Sequence, residues 1–211
     1  MLIDFERNIV LFTPPKCGTM TLHEVLPQFG VKTVLGPQFD YGVGEHTTLL
    51  PFDVWNAIDR FRFVVATRNP YTRAASLYGH YQQYWEGADL LFPEFVEQIV
   101  VAPRHHFFNA TISSVLQPLE NPLDGRLSVR VDAFVRLEEL AGDLCRLGYE
   151  FDDPLPRVHA LQHRGLEEYT RSAQLAIETW ARHDFDRFGY SRNLAQGHEA
   201  CRDGLAAFDA G

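Results

Sequence analysis

Cysteine is scarce in this sequence: Cys17, Cys145 and Cys201 are the three among 211 residues. Three cysteines are too few, and odd in number, for a framework of disulfide bonds, so they favour a reducing compartment. The sequence also lacks a run of about eighteen apolar residues that would predict a membrane span. Its first residues, MLIDFERN, have neither the basic region nor the apolar stretch of a signal peptide. We therefore expect a cytoplasmic protein with no membrane segment.

Positive charge is in short supply as well. Lysine and arginine number 19 against 28 aspartates and glutamates, which gives a net charge of -9 at pH 7 and an isoelectric point of about 5.4. Nucleic-acid-binding domains usually carry a basic surface, so we expect no nucleic acid as a partner. A long polyanionic glycan would also be an awkward ligand, unless a basic strip around residues 104–106 or 157–164 overrides the total charge.

Strand-like and helix-like segments alternate along the chain, which is typical of an α/β fold with a central parallel sheet flanked by helices. A chain of 211 residues that is 45% hydrophobic can bury one core. We expect a single domain over residues 1–194 and a loosely ordered tail over residues 195–211. The strands are predicted at 8–12, 32–35, 61–67 and within 128–137. The helices are predicted at 19–29, 51–60, 70–84, 92–101, 138–147 and 170–188.

The loop after the first predicted strand carries the first chemical signal. Residues 13–21 read TPPKCGTMT and connect an apolar run to an amphipathic helix. Backbone N-H groups at the start of such a helix lack partners within it and lie at the positive end of its dipole, so they bind phosphate-like anions. Gly18 permits close approach, Lys16 adds a charge, and Thr19 and Thr21 add hydroxyl donors. A Walker A loop differs, because its lysine follows the glycine.

A second motif, RNPYTRAASLY at residues 68–78, follows the third predicted strand. Pro70 suits the first turn of a helix, where its missing N-H is not needed, and Asn69 is the candidate cap. Arg68 would then project from the end of the strand while Ser76 lies two turns along the helix. We expect both side chains to reach one phosphate group.

These segments together resemble the sulfotransferases that use 3'-phosphoadenosine 5'-phosphosulfate (PAPS). The sequence PKCGTMT is similar to that family's 5'-phosphosulfate loop, and the second motif to its 3'-phosphate motif, which it matches at Arg68, Pro70, Arg73, Ser76 and Tyr78. Residues 132–140 (DAFVRLEEL) and 184–190 (DFDRFGY) resemble two further segments of the carbohydrate-sulfotransferase branch. The resemblance implies a P-loop-kinase-like sulfotransferase domain over residues 1–194, in a cytoplasmic enzyme of bacterial or viral kind.

The resemblance also implies a reaction: direct in-line transfer of a sulfuryl group from PAPS to the hydroxyl of a sugar or another alcohol, without a metal. The 5'-phosphosulfate would be held by Lys16, Cys17, Gly18, Thr19, Met20 and Thr21. Arg68 and Ser76 would bind the 3'-phosphate, which distinguishes PAPS from ATP. Lys16 would also be catalytic, because its charge stabilises the departing phosphate. We interpret Cys17 as a small packing group, since direct transfer needs no nucleophile.

The acceptor hydroxyl needs a base, and histidine is the usual choice near neutral pH. His46 is the first candidate, because it lies in the glycine-rich segment GVGEHTT at residues 42–48, which we expect at the carboxyl ends of the strands. Glu45 is the runner-up and Glu24 the third candidate. The sequence does not identify the residue that would stack on the adenine ring.

Three further residues are open to structural interpretations. We expect Glu138, at a predicted strand-helix junction, to cap backbone N-H groups or to pair with Arg136 or Arg68. For Arg73 and Tyr78, ligand contact and a structural role as a helix-surface ion pair or a core aromatic are equally open.

Two other functions stay open. A P-loop kinase or NTPase is one, although its Gly-Lys-Ser/Thr sequence is absent here. A nucleotide-binding relative that has lost catalysis is the other, although the intact candidate residues weigh against it.

Overall fold

The computed structural model describes residues 1–34, 50–85, 89–101, 106–120, 129–152, 154–156 and 168–196. Residues 197–211 of the predicted tail lie outside them. Within the described residues the chain is an α/β protein with five strands, which are β1 Leu2–Asp4, β2 Ile9–Phe12, β3 Lys32–Thr33, β4 Arg62–Thr67 and β5 Ala133–Arg136. They form one open sheet in the order β3-β1-β2-β4-β5.

The sheet is mixed: the predicted central parallel sheet is present in three strands, and the antiparallel edge was not predicted. The strands β2, β4 and β5 run parallel, with Val10 opposite Phe63 and Val64 opposite Ala133. The strands β1 and β3 pair antiparallel, and β1 also runs antiparallel to β2. Antiparallel neighbours can be joined by a short turn, whereas parallel ones need a crossover. The chain therefore enters the sheet through the hairpin of β1 and β2 before its crossovers begin.

The first half of the chain follows the predicted helices with shorter elements. The helix α1 Thr19–Val25 continues as a 3₁₀ turn, and α2 Phe52–Trp55 is followed by a separate 3₁₀ turn at Ile58–Arg60. The helix α3 Pro70–Tyr84 has the predicted start, because Asn69 Oδ1 accepts a hydrogen bond from the N-H of Tyr71 at 3.0 Å. This cap places the second motif directly after β4.

The second half contains shorter helices than predicted. They are α4 Phe92–Phe95 with a π-helical turn to Val100, α5 His106–Asn109, α6 Ile112–Glu120, α7 Leu140–Arg146, α8 Arg171–Trp180 and α9 Arg182–Phe188. The helix predicted at 170–188 is broken at Ala181, which has φ of -101° and ψ of 22°. Gly148 and Gly189 follow α7 and α9 with φ of 91° and 70°, as expected of glycines that end helices.

Two apolar clusters hold these layers together. The first covers the sheet and includes Ile3, Val10, Leu22, Val64 and Leu144. The second joins α3 to the helices packed against it and includes Tyr71, Leu77, Phe95, Ile177 and Phe185. In the part of the chain that the structure describes, no helix combines the length and apolar character needed to cross a bilayer.

Candidate anion-binding site

The carboxyl ends of the three parallel strands bring the two sequence motifs into contact. Residues 13–21, called the Lys16 loop from here on, follow β2, and Arg68 follows β4, its neighbour in the sheet. Arg68 Nη1 donates a hydrogen bond to the carbonyl of Lys16 at 3.2 Å. Arg73 Nε donates to the carbonyl of Pro15 at 3.0 Å. The two motifs therefore build one site at the edge where α/β proteins bind ligands.

The backbone of the Lys16 loop leaves N-H groups for a ligand. Lys16 and Gly18 both have positive φ, 66° and 82°. A Cβ atom added at Gly18 would lie 2.7 Å from Leu137 Cδ1, so Leu137 would have to shift, and the positive φ itself favours glycine at this position. The N-H groups of residues 18–21 donate to no acceptor in the described part of the chain. Orphan donors of this kind suit an anion.

Lys16 lies in a positive environment. Its pKa is lowered from the ordinary 10.5 to about 8, first by burial and then by the charges of Arg68 and Arg73, while Cys17 opposes this effect. Both effects disfavour the protonated amine, because a buried cation loses hydration and like charges repel. An anion beside Lys16 would stabilise the protonated amine and so raise its pKa again. The electrostatics of the site therefore favour a negatively charged ligand.

Arg68 is 7% exposed and is oriented by the protein around it. Its Nε donates to Thr72 Oγ1 at 3.2 Å, one turn along α3. The guanidinium therefore spans from α3 to the Lys16 loop. Ser76, the predicted partner of Arg68, lies further along α3 and is 9% exposed.

Glu138 caps a backbone N-H group at the start of α3, which is one of the roles predicted for it from the sequence. Its Oε1 accepts a hydrogen bond from the N-H of Asn69 at 2.8 Å. The hydroxyl of Tyr190 donates to its Oε2 at 3.2 Å and is also hydrogen-bonded to Thr67 Oγ1 at 2.9 Å. Burial raises the pKa of Glu138, while these bonds and the charge of Arg68 oppose that effect.

Cys17 fits the packing interpretation. Its side chain is 1% exposed and belongs to the apolar cluster on the sheet. Burial raises the pKa of its thiol to about 12, so the sulfur stays protonated and is a poor nucleophile at neutral pH.

The remaining loop residues differ in what they offer a ligand. Thr19 Oγ1 donates to the carbonyl of Pro14 at 3.3 Å, so in this geometry its hydroxyl proton is directed inside the loop, and its role as a ligand donor stays a prediction. The side chain of Met20 is 43% exposed, whereas Thr21 is 7% exposed. At these positions the backbone N-H groups are the donors that the site provides.

Two of the three candidate bases, His46 and Glu45, lie outside the described residues. Glu24 is on α1 and is exposed. The identity of the base therefore stays a prediction.

Arg73 is the site residue that sequence reasoning left open. It is 1% exposed, and besides Pro15 it binds the carbonyl of Ala110 through Nη2 at 2.9 Å. Its Cζ lies 5.4 Å from the ring centre of Trp180, and its Nη1 has no hydrogen-bond partner among the residues that the structure describes. A signal was present in the sequence: no acidic residue stands three or four positions away on the helix, so a helix-surface ion pair had no partner.

Tyr78 takes the structural role that the sequence left open. It is 1% exposed, and its hydroxyl donates to the carbonyl of Leu90 at 2.7 Å. Its ring packs against Phe92 and Phe95. It is a core aromatic.

No cluster of three or more histidine, cysteine, aspartate or glutamate side chains that could hold a metal occurs among the described residues. The expectation that the protein uses no metal stays a prediction.

Comparisons with known proteins found no family model, no curated protein and no solved structure that matches this chain. Fold and site thus define an α/β protein with a cationic loop at the carboxyl edge of its sheet.

Proposed function

We propose that this protein is a sulfotransferase that moves a sulfuryl group from PAPS to an acceptor hydroxyl. The observation that carries the proposal is the convergence of Lys16, Arg68 and Arg73 on one glycine-containing loop. Three cations that are close together and largely buried need negative charge nearby. PAPS offers that charge in two places, at its phosphosulfate and at its 3'-phosphate.

The residues present fit such a ligand. The loop offers the N-H groups of residues 18–21, which have no acceptor in the described part of the chain, and Gly18 takes the positive φ of the loop without strain. Lys16 adds an amine that burial and repulsion hold near pKa 8, so it is mostly protonated at pH 7. Arg68 follows the neighbouring strand and can bind a second phosphate group. A nucleotide with a single phosphate chain would not need this second binding position.

When bound, PAPS supplies an activated sulfuryl group, whose bond to the 5'-phosphate oxygen breaks as a bond to the acceptor oxygen forms. The residues of this chain then have three tasks. Lys16 stabilises the negative charge on the departing phosphate. Arg68 and Ser76 bind the 3'-phosphate, and the proton of the acceptor hydroxyl passes to a base, for which His46 is the first candidate and Glu45 the second.

A binding experiment tests the nucleotide part of the proposal. Calorimetric titration with adenosine 3',5'-bisphosphate, AMP and Mg-ATP compares the three ligands on one protein. A charge-assisted hydrogen bond contributes roughly 1.5–3 kcal/mol, so we expect the bisphosphate to bind about ten-fold or more tighter than AMP without magnesium. Equal affinity for the bisphosphate and AMP, or tight binding of Mg-ATP alone, would contradict the proposal and favour a kinase or NTPase.

A transfer experiment tests the reaction. Radiolabelled PAPS is incubated with the protein and a panel of sugars, simple alcohols, phenols and tyrosine peptides, and the labelled product is separated. We expect label on a hydroxyl of one acceptor class and none with Lys16→Ala. Binding of the bisphosphate without transfer to any acceptor would instead indicate a nucleotide-binding protein that has lost catalysis.

A further inference from the structure

The backbone of Lys16 has a conformation that its own sequence does not favour. Its φ of 66° lies in the left-handed region, which residues with a Cβ atom rarely adopt. Two residues later the same region is occupied by Gly18, for which it is no strain. A strained residue persists only where its surroundings hold it in place. Something must therefore hold Lys16.

Two arginine side chains hold the peptide groups on either side of Lys16. Arg73 donates to the carbonyl of Pro15, the residue before it, and Arg68 donates to the carbonyl of Lys16 itself. Each peptide group is a rigid plane, so φ and ψ of Lys16 describe how these two planes are rotated about its Cα atom. Fixing both carbonyls fixes both angles.

Arg73 is itself immobilised by the helical layer. One edge of its guanidinium binds the Pro15 and Ala110 carbonyls together, at 3.0 and 2.9 Å. Its face lies over Trp180, whose Nε1 donates to the carbonyl of Asn109 at 2.6 Å. The planar fork of arginine can bind two carbonyls at fixed angles, whereas the ammonium of lysine is a single point charge.

We propose that Arg73 is a positioning residue, which with Arg68 locks Lys16 in its left-handed conformation and so presents the N-H groups of residues 18–21 to the ligand. Its guanidinium acts through the loop without touching the ligand. The effect on ligand binding rests on the proposed function, whereas the effect on the backbone of Lys16 does not.

Unfolding in urea tests the backbone part without a ligand. Lys16→Gly and Lys16→Ala both remove the amine, and they differ only in whether a Cβ atom opposes positive φ. With Arg73 present, we expect the glycine variant to have the higher urea midpoint. With Arg73→Met, residue 16 is free to leave the left-handed region, so that advantage should disappear or reverse.

Asn8 offers a matched control. Its φ is 54°, and it lies in the turn between β1 and β2, away from Arg73. The midpoint difference between Asn8→Gly and Asn8→Ala should be the same with and without Arg73→Met. If the midpoint difference between Lys16→Gly and Lys16→Ala is also the same with and without Arg73→Met, then Arg73 does not hold the backbone of Lys16 and the proposal is refuted. If Arg73→Met does not fold, the same comparison is made with Arg73→Lys, which keeps the charge and lacks the fork.

The ligand part is tested by the affinity for adenosine 3',5'-bisphosphate, measured at a temperature at which every variant is folded. We expect Arg73→Lys to weaken binding about ten-fold or more, since misaligned loop N-H groups lose charge-assisted hydrogen bonds. Arg187→Lys is the control, because Arg187 pairs with Glu120 and stacks on Phe188 away from the loop. Unchanged affinity in Arg73→Lys would refute the positioning role. A wild-type protein that does not bind the bisphosphate would instead refute the proposed function, and the urea comparison would still decide the lock.

Discussion

Replacing Lys16 by methionine should abolish transfer and yet stabilise the ligand-free protein. The pKa of Lys16 is lowered from 10.5 to about 8 by burial and by Arg68 and Arg73. Each tenfold loss of proton affinity corresponds to about 1.4 kcal/mol, so the protonated amine destabilises the fold by about 3 kcal/mol at most. Solvent reaches part of the side chain and screens its charge, which reduces this figure to about 1–2 kcal/mol. Methionine keeps an unbranched stem of similar length without the charge.

The sign of the pH dependence is fixed by the direction of the pKa change. Between pH 8 and 10.5 the folded wild-type protein binds fewer protons at Lys16 than the unfolded chain, so its stability rises with pH in this window. The advantage of Lys16→Met should therefore be largest at pH 7 and small above pH 10. Urea unfolding at both pH values measures it.

The chain provides a natural control for this experiment. Lys32, its only other lysine, lies on β3 with its amine 5.3 Å from the ring centre of Phe5. Lys32→Met loses that favourable contact, so it should be neutral or slightly destabilising at either pH. A Lys16→Met protein that is no more stable than wild type at pH 7 would refute the view of Lys16 as a destabilised cation.

Three further changes test other parts of the site. Arg68→Ala should weaken binding of adenosine 3',5'-bisphosphate by about ten-fold or more, measured by calorimetry, because it removes charge-assisted hydrogen bonds. His46→Ala should lower turnover by roughly 100- to 10,000-fold with little change in nucleotide affinity, and remove the acid limb of the pH-rate profile. If Glu45→Gln carries that loss and His46→Ala is mild, Glu45 is the base. Gly18→Ala should destabilise the fold by about 1–3 kcal/mol in urea unfolding, since the new methyl meets Leu137 and the backbone has positive φ; an unchanged midpoint would contradict the observed packing.

The sequence predicted those elements whose ends are determined by neighbouring residues. Asn69 and Pro70 start α3 where the capping rule places its start, and Gly148 and Gly189 follow the ends of two helices. The strand-loop-helix arrangement around Lys16 also follows from neighbouring residues alone. Since parallel strands end at the same edge of a sheet, the meeting of the two motifs could be inferred as well.

Elements that form through contacts with residues far away in the sequence could not be predicted in this way. The strand β1 has three residues, too few to show a periodicity, and no strand was predicted there; it forms by pairing with β2 and β3, as Leu2 does with Leu11 and Thr33. The start of α6 is capped by Asp184, whose oxygens accept the N-H groups of Ile112 and Ser113 at 2.8 Å.

The sequence argues against an ion pair for Arg73, but it does not identify the partners that Arg73 binds. Its partners Pro15 and Ala110 are 58 and 37 positions away along the chain. Such contacts are tertiary, and a motif read by itself does not show them.

The bond between Tyr190 and Glu138 has a consequence for the order in which the protein matures during translation. The Lys16 loop leaves the ribosome early, but Glu138, which steadies the start of α3, receives its Tyr190 partner some fifty residues later. Asp184, which holds the start of α6, is also made late. Domains emerge from the amino terminus and complete their packing only when the last required segment is available. A nascent chain halted before residue 184 would thus carry both motifs and Glu138, but it would lack Tyr190, which orients Glu138, and Asp184, which caps α6.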